Sequence, residues 1–368
     1  MKKCIQLISD SNIGGAGKVL LSYLANCNRK DFEHAVIVPV GSLLIPEIEA
    51  LDIRVIPFEG MRDKSYDRAD VKALMKVFQA EKPDIVHCHG ALSGRIAATR
   101  CGIKTVSTRH SIFDQPGYKK RFPVKQILGA INNRYSDVII AVSPAAKDNI
   151  VEIGTDPNKV EVVFNGIPTP KRLNEEERKE VRKKYGIASD TFVCAIIARL
   201  EEVKGHHYLL EAAKLLQDRG EDIVILIAGT GSCEKTLREE AEALALKNVI
   251  FTGFIKTIWE IENIMDLQLN ASYGTEATSM SLLEGMCLGI PAAVSDFGGN
   301  PYVIQDGVNG VIFAKRDSQA LAEAILRCKN DPELYKKMAA NCPEIFEERF
   351  TGKVMAEQIE AIYRRLLK

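Results

Sequence analysis

Short, continuous apolar runs recur along the chain, most of them followed by a segment with helical spacing. The first run is CIQLIS (4–9), followed by a glycine-rich turn and a helical pattern over roughly 17–27. HAVIVPV (34–40), IRVIPF (53–58), DIVHCH (84–89), KTVSTRH (104–110), DVIIAVS (137–143) and VEVVFN (160–165) repeat the theme. Helical patterns lie at 69–80, 91–101 and 144–153. Continuous β-branched runs, rather than strict alternation, predict strands covered on both faces. Strand–helix repetition predicts a parallel, doubly wound α/β sheet.

The theme stops at NGIPTPKRLNEEERKE (165–180), where prolines and charges predict a boundary followed by a solvated helix. It then restarts. Strands are predicted at FVCAIIA (192–198), IVILIAG (223–229), NVIFTG (248–253), DLQLNAS (266–272), IPAAVS (290–295) and GVIF (310–313). Helices are predicted near 204–218, 232–246, 256–264, 279–287 and 317–329, and the last 35 or so residues read as helical. The chain therefore reads as two Rossmann-like halves with a boundary near 168. Two such halves predict a cleft, because open α/β sheets bind ligands outside the carboxyl ends of their strands.

Composition agrees: 46% of the 368 residues are hydrophobic, enough for two cores. Formal net charge is zero, which argues against a dedicated nucleic-acid binder. The first 168 residues carry 23 Lys/Arg against 18 Asp/Glu, and the rest 26 against 31, a mild asymmetry. Nine scattered cysteines without a CxxC predict a reducing compartment rather than a disulfide framework. The apolar run of MKKCIQLISD is too short for a signal peptide, and no segment approaches the length of a membrane span. The expected location is cytoplasmic.

Several strand–helix joints carry candidate chemistry. IGGAGK (13–18) places glycines before a helix start, where backbone can approach an anion. It is neither a P-loop, since Asn12 and Val19 occupy two of the required positions, nor GxGxxG; a tight connection without ligand also accounts for it. DIVHCH puts His87 and His89 on one face of a strand, and His110 ends the next strand. The three could bind zinc, or a single histidine, His110 foremost, could serve at the cleft. ARLEEVKG (198–205) sets Arg199 and Lys204 around a turn at a carboxyl edge, which suits a diphosphate or merely a charged surface. In LIAGTG, Gly229 and Gly231 allow close backbone approach. In YKKRFPVKQILGAINNRYS (118–136), Lys119, Lys120, Arg121, Lys125 and Arg134 alternate with apolar residues. That segment reads either as a helix on an anionic membrane surface or as a helix packed on the sheet with a basic entry.

EATSMSLLEG (276–285) is the most informative stretch. Ser281 and Glu284 could form a capping box. Helical spacing already runs from Met280, however, which puts Ser281 inside the helix and Glu276 before it. Two carboxylates on either side of a helix start suit an extended ligand with hydroxyl-bearing ends and an anionic middle. A nucleotide sugar has that layout.

The order ARLEEVKG, LIAGTG, NVIFTGF, E-x7-E and GMCLGIPAAVSDFGGNPYVIQDGVNGVIF resembles the retaining family 4 glycosyltransferases of the GT-B fold. The resemblance is strongest over 192–313 and looser in the amino half (GGAGK, DIVHCHG, STRH, AVSPAAKDNI). It implies an acceptor-binding domain at 1–168, a donor-binding domain at 169–350 and a final helix, 351–368, returning to the first. It implies that Glu284 holds the donor ribose and Glu276 the transferred sugar. Arg199 and Lys204 would bind the diphosphate, with Ser279, Met280, Ser281 and Leu282 along it. His110 would lie near the anomeric carbon, Gly15 and Ala16 near donor and acceptor, and Thr252, Gly253 and Phe254 beside the base; Gly229 joins this donor set. The partners implied are a nucleotide-diphosphate sugar and a saccharide or lipid-linked acceptor, with no cofactor and no metal. Ala277 and Tyr302 stand where many members have Gly and Glu. An epimerase on the same fold and a non-catalytic nucleotide-sugar-binding partner remain as alternatives.

Overall fold

The computed structural model describes residues 1–61, 64–113 and 115–368. The chain divides into two compact units, Met1–Pro168 with Arg349–Lys368, and Thr169–Glu348.

The first unit holds seven parallel strands: β1 (Lys2–Ile8), β2 (Phe32–Pro39), β3 (Arg54–Phe58), β4 (Ile85–His89), β5 (Lys104–Arg109), β6 (Val138–Ala141) and β7 (Val160–Val162). Their order is β3-β2-β1-β4-β5-β6-β7. Strand order reverses between β1 and β4, so the switch point lies where the 9–14 loop and Gly90 emerge. Alternation along the strands separates two kinds of residue. Ile5, Leu7, Val86 and Cys88 join Leu74, Phe78, Ile96 and Ala97 in an apolar core with the Arg68–Glu81 and Leu92–Arg100 helices. Gln6, His87 and His89 take the other face, which the Gly352–Leu366 helix covers with Tyr363. That helix also packs on the Gly15–Asn26 helix, where Gly352 comes so close that a Cβ on it would lie 2.4 Å from Asn26 Nδ2.

The second unit holds six parallel strands: β8 (Phe192–Ile197), β9 (Ile223–Ala228), β10 (Val249–Gly253), β11 (Leu267–Asn270), β12 (Ala292–Ser295) and β13 (Gly310–Phe313). Their order is β10-β9-β8-β11-β12-β13, with the switch point between β8 and β11. Cys194, Ile196, Ile225 and Ile227 pack under the His206–Asp218 and Ser318–Asn330 helices. Val193, Ala195 and Leu226 pack on the opposite face against Ile261, Ile264 and Met265. Burial on both faces explains the continuous apolar runs. The solvated helix expected after the boundary is Glu175–Lys184. It buries no residue and is held by the Asn174/Glu177 capping box, three acidic residues in its first turn and three basic in its last.

Two helices escape the sequence pattern, Leu44–Ala50 and Asn300–Val303. The first buries only Leu44 and Ile48, and the second is a single turn. Neither is long enough for a 3.6-residue period to declare itself.

Candidate active site

The second unit gathers its chemistry at the carboxyl ends of β8, β9 and β11. After β8 the chain crosses the sheet edge as Ala198–Glu201, makes a 3₁₀ turn at Glu202–Lys204 and enters the His206–Asp218 helix through Gly205. Gly205 has φ +73°, and a Cβ there would lie 2.1 Å from the Ala271 carbonyl oxygen. This close crossing brings Lys204 to the loop after β11. Lys204 Nζ donates to Glu276 Oε2 at 2.7 Å, with side-chain exposures of only 14% and 9%. The same oxygen accepts from Asn270 Nδ2 at 3.2 Å and Ser272 Oγ at 3.1 Å. Gly299 N donates to the Glu276 carbonyl at 2.9 Å, an approach only glycine permits, since a Cβ would sit 1.7 Å from the Ala277 oxygen. Glu276 is thus a buried, triply bonded carboxylate on a backbone clamped from below.

The helix beyond it is Met280–Leu288. Its N-cap is Ser279, whose side chain makes no capping bond. Ser281 is the second helical residue; its hydroxyl bonds to the Ile197 carbonyl at 3.3 Å and to Ser279 Oγ at 3.1 Å. The Ser281/Glu284 capping box therefore does not form, because the helix begins too early for it. The N–H groups of Met280, Ser281 and Leu282 are left without intrahelical partners. Glu284 lies half-buried on this helix and makes no hydrogen bond or ion pair among the described residues. Arg199 is exposed on the preceding loop and likewise makes no ion pair among them.

Hydrogen bonds stitch the β8 and β9 loops together: Ala198 N to Ala228 O, Leu200 N to Thr230 O and Cys233 N to Leu200 O, at 2.9–3.1 Å. Gly229 (φ +143°) and Gly231 make this possible, since Cβ atoms on them would lie 2.0 Å from Ala198 O and 2.4 Å from Leu200 O. The space these glycines vacate is filled by protein backbone. Gly229 N also donates to Gly253 O at 3.0 Å, which joins the β9 loop to the end of β10. There Thr252 Oγ1 bonds to Ile227 O at 3.3 Å, Gly253 has φ +70°, and Phe254 is 72% exposed.

In the first unit, Gly15 and Ala16 open the Gly15–Asn26 helix, whose N-cap Gly14 offers no side chain. Apart from the adjoining backbone, no atom of the described residues lies within 4 Å of where a Gly14 or Gly15 Cβ would be, so this helix start is open. His110 is the first residue beyond β5. Its Nε2 lies 2.8 Å from His89 Nδ1, and its Nδ1 has no partner among the described residues. Burial pushes His110 down to about 4 and His87 down to about 3, and holds His89 well below the usual histidine range. All three rings are neutral near pH 7. Apart from His110 Nδ1, their nitrogens bond one another, Gln6, Thr108 and Tyr363, which engages the lone pairs a zinc ion would need.

Residues 177–345 match the model of the family described as Glycosyl transferases group 1, and residues 13–171 that of Glycosyltransferase Family 4. The chain belongs to the group 1 glycosyltransferases. EpsD of Bacillus subtilis is 28% identical to this transferase over 81% of the chain and 80% of its own length. The UDP-Gal:alpha-D-GlcNAc-diphosphoundecaprenol alpha-1,3-galactosyltransferase of Escherichia coli is 26% identical over 81% and 79%. HepE of Anabaena, solved in complex with UDP, superposes with a TM-score of 0.84 at 22% identity, covering 99% of this chain and all of its own. The shared architecture is GT-B, two Rossmann-like α/β domains. Family membership favours transfer among the readings the sequence left open.

Arg199, Lys204, Gly229, Thr252, Gly253, Phe254, Glu276, Ser279, Met280, Ser281, Leu282 and Glu284 all sit at the carboxyl edge of the second sheet. Among the described residues of this set, side chains touch directly in two pairs, Lys204 with Glu276 and Ser279 with Ser281. Gly15, Ala16 and His110 sit at the same edge of the first sheet. Sequence reasoning missed Asn270, Ser272 and Gly299, which hold Glu276. The available signal was LNAS, where an apolar strand ends on polar residues that are nonetheless buried.

Proposed function

We propose that this transferase moves a hexosyl unit from a UDP-sugar to a hydroxyl of a saccharide or lipid-linked acceptor, in surface polysaccharide or glycoconjugate synthesis, with retention at the anomeric carbon. The observation that carries this reading is the buried Lys204–Glu276 pair beside an uncapped helix start that bears Glu284, which is unpaired among the described residues. The helix N-terminus, Arg199 and Lys204 together suit a diphosphate, and they become most favourable as negative charge grows on the leaving nucleotide. Glu284 is assigned to the ribose hydroxyls and Glu276 to the sugar. His110 is assigned to the sugar-transfer step, and Gly15 and Ala16 to the approach of donor and acceptor. Phe254 offers an exposed ring beside the base. The UDP assignment takes its support from HepE, solved with UDP, and from the UDP-Gal enzyme of E. coli.

Retention follows if the acceptor hydroxyl enters on the face the diphosphate leaves and hands its proton to the departing phosphate oxygen. Glu276 Oε2 already accepts three hydrogen bonds, which makes it a poor nucleophile for a covalent intermediate. Two cations supply the charge that a metal would otherwise bring, so turnover is expected to survive EDTA.

The test is a thermal titration with UDP, GDP and ADP beside Glu284→Ala. A ligand that binds only the folded state stabilises by mass action, about 2.7 kcal/mol at a hundred times its Kd. UDP is expected to raise the melting temperature of the wild type by several degrees and that of Glu284→Ala far less. Equal shifts in both proteins, or no shift with any nucleotide, would remove Glu284 from the donor site.

The acceptor end of the reading concerns 118–134. Tyr118 is 62% and Phe122 81% exposed, Ile127 is exposed, and the Val124–Arg134 helix buries only Gly129. Lys119, Arg121 and Lys125 are beside them, while Lys120 pairs with Glu152. No helix among the described residues is long and apolar enough to cross a membrane. We propose that this segment rests on an anionic bilayer at the cytoplasmic face, near a lipid-linked acceptor. Vesicles containing phosphatidylserine are expected to carry the protein on flotation at low salt and to lose it with Phe122→Ser. Flotation that ignores both lipid charge and Phe122 would end the proposal.

A further inference from the structure

The first unit contains a buried polar chain that the transfer chemistry above does not use. Strand register creates it. Gln6 is opposite His87, and His89 is opposite Thr108, so all four side chains leave the sheet on one face. Tyr363, on the Gly352–Leu366 helix, is fully buried over them. Gln6 Nε2 donates to Tyr363 Oη at 3.0 Å. Having accepted from Gln6, the tyrosine hydroxyl is free to give its own proton to His87 Nδ1 at 2.6 Å, and in that tautomer His87 Nε2–H donates to Thr108 Oγ1 at 2.6 Å. On its other side Gln6 turns Oε1 toward His89 Nε2 at 3.1 Å.

Proton bookkeeping then runs outward from Gln6. Its Oε1 can only accept, so His89 carries hydrogen on Nε2. A neutral imidazole has one N–H, so His89 Nδ1 is an acceptor. The His89–His110 contact therefore requires the hydrogen on His110 Nε2. His110 Nδ1 is left with a lone pair. Flipping the Gln6 amide would reverse every bond in the chain and leave His110 Nδ1–H as a buried donor without an acceptor. Buried orphan N–H groups are the rarer and costlier outcome.

We propose that Tyr363, Gln6 and His89 are positioning residues that set the tautomer of His110, holding its proton on Nε2 and presenting Nδ1 as an acceptor. The functional consequence rests on the assignment of His110 to the transfer step. The tautomer itself does not. The Gly352–Leu366 helix thereby reaches the proton arrangement of His110, at the sheet's carboxyl edge, through three side chains, Tyr363, Gln6 and His89.

The experiment uses the full chain with 15N-labelled histidine and no substrate. Two-bond 1H–15N correlation distinguishes the two tautomers of each ring, and the protein has only six histidines. His110→Asn identifies the signals of His110. In the wild type at pH 7.5, His110 is expected as a single Nε2–H tautomer. Tyr363→Phe frees the Gln6 amide to flip and is expected to give a mixture of tautomers at His110, as is Gln6→Leu. Gln6→Glu, which as a carboxylate can only accept, should keep the wild-type pattern. An Nδ1–H tautomer in the wild type, or an unchanged His110 pattern in both Tyr363→Phe and Gln6→Leu, would overturn the proposal. Tyr363→Phe removes one oxygen and serves should Gln6→Leu not fold. Turnover of His110→Asn is read separately. Wild-type turnover there would defeat the transfer assignment and leave the tautomer result standing.

Discussion

Lys204→Ala is expected to lower kcat for sugar transfer by about a hundred- to a thousandfold, the usual loss when one preorganised charge stabiliser is removed. The argument begins with burial. Lys204 is held at 2.7 Å from Glu276 in a site where neither side chain is more than 14% exposed, so its charge is poorly screened. Charge on a departing diphosphate would meet this ammonium at its strongest. The substitution also strands a buried carboxylate, which by itself costs about 3–5 kcal/mol when a buried pair is broken. Asn270 and Ser272 still donate to Glu276, which moderates that loss. Arg199→Ala separates the two effects. Arg199 is exposed and unpaired among the described residues, so its loss should leave the melting temperature within about a degree, as surface changes do. Its kcat should nonetheless fall by at least tenfold. Steady-state kinetics with a UDP-sugar, beside thermal melts, decides the matter. If both variants turn over within tenfold of wild type, the diphosphate is not stabilised by these cations.

Gly229→Ala should destabilise the second unit by about 3 kcal/mol or more, a size that calls for a named structural cause. Here there are two. Residue 229 has φ +143°, a region L side chains rarely adopt, and the new Cβ would fall 2.0 Å from Ala198 O. Relief requires the β8 and β9 loops to part, breaking the bonds that join Ala198 and Leu200 to Ala228 and Thr230. For a unit of this size the melting temperature should drop by roughly 6–12 °C. Arg199 is on one of those loops, so turnover should fall as well. Gly15→Ala is the matched control. It too lies in a strand–helix joint, but beyond the adjoining backbone nothing among the described residues stands within 4 Å of its Cβ position, and it occupies the first turn of a helix. It should be neutral or stabilising by up to about 1 kcal/mol. A Gly229→Ala protein that melts within two degrees of wild type would show that the loops separate at little cost.

The two glycines look alike in sequence, and that is instructive. Periodicity was enough to place all thirteen strands to within a few residues, because a strand buried on both faces must be apolar throughout. It was enough to start the second-unit helix near 280 and so to put Ser281 inside it. Motif order pointed to a nucleotide-sugar enzyme. Arg199 with Lys204, and Glu276 with Glu284, could each be named as a pair because spacing along one strand–loop–helix joint is local, and the family resemblance joined the two pairs. Short helices such as Leu44–Ala50 were invisible, since two buried residues make no pattern.

Strand order was beyond a linear reading, and with it everything that depends on neighbours. Placing β11 beside β8 brings Lys204 onto Glu276 across 72 residues, and the 3.2 and 3.1 Å bonds from Asn270 and Ser272 complete its environment. Placing β4 between β1 and β5 puts Gln6, His87, His89 and Thr108 on one face, and Tyr363 reaches them from 276 residues beyond His87. The three histidines were legible as a cluster, but whether they faced a metal or one another was not. By itself the sequence determined which residues are buried and where the chain turns, because those follow from local polarity and backbone freedom. The tertiary structure alone decided which buried polar groups meet, because a hydrogen bond is made between atoms that only the fold brings within 3 Å.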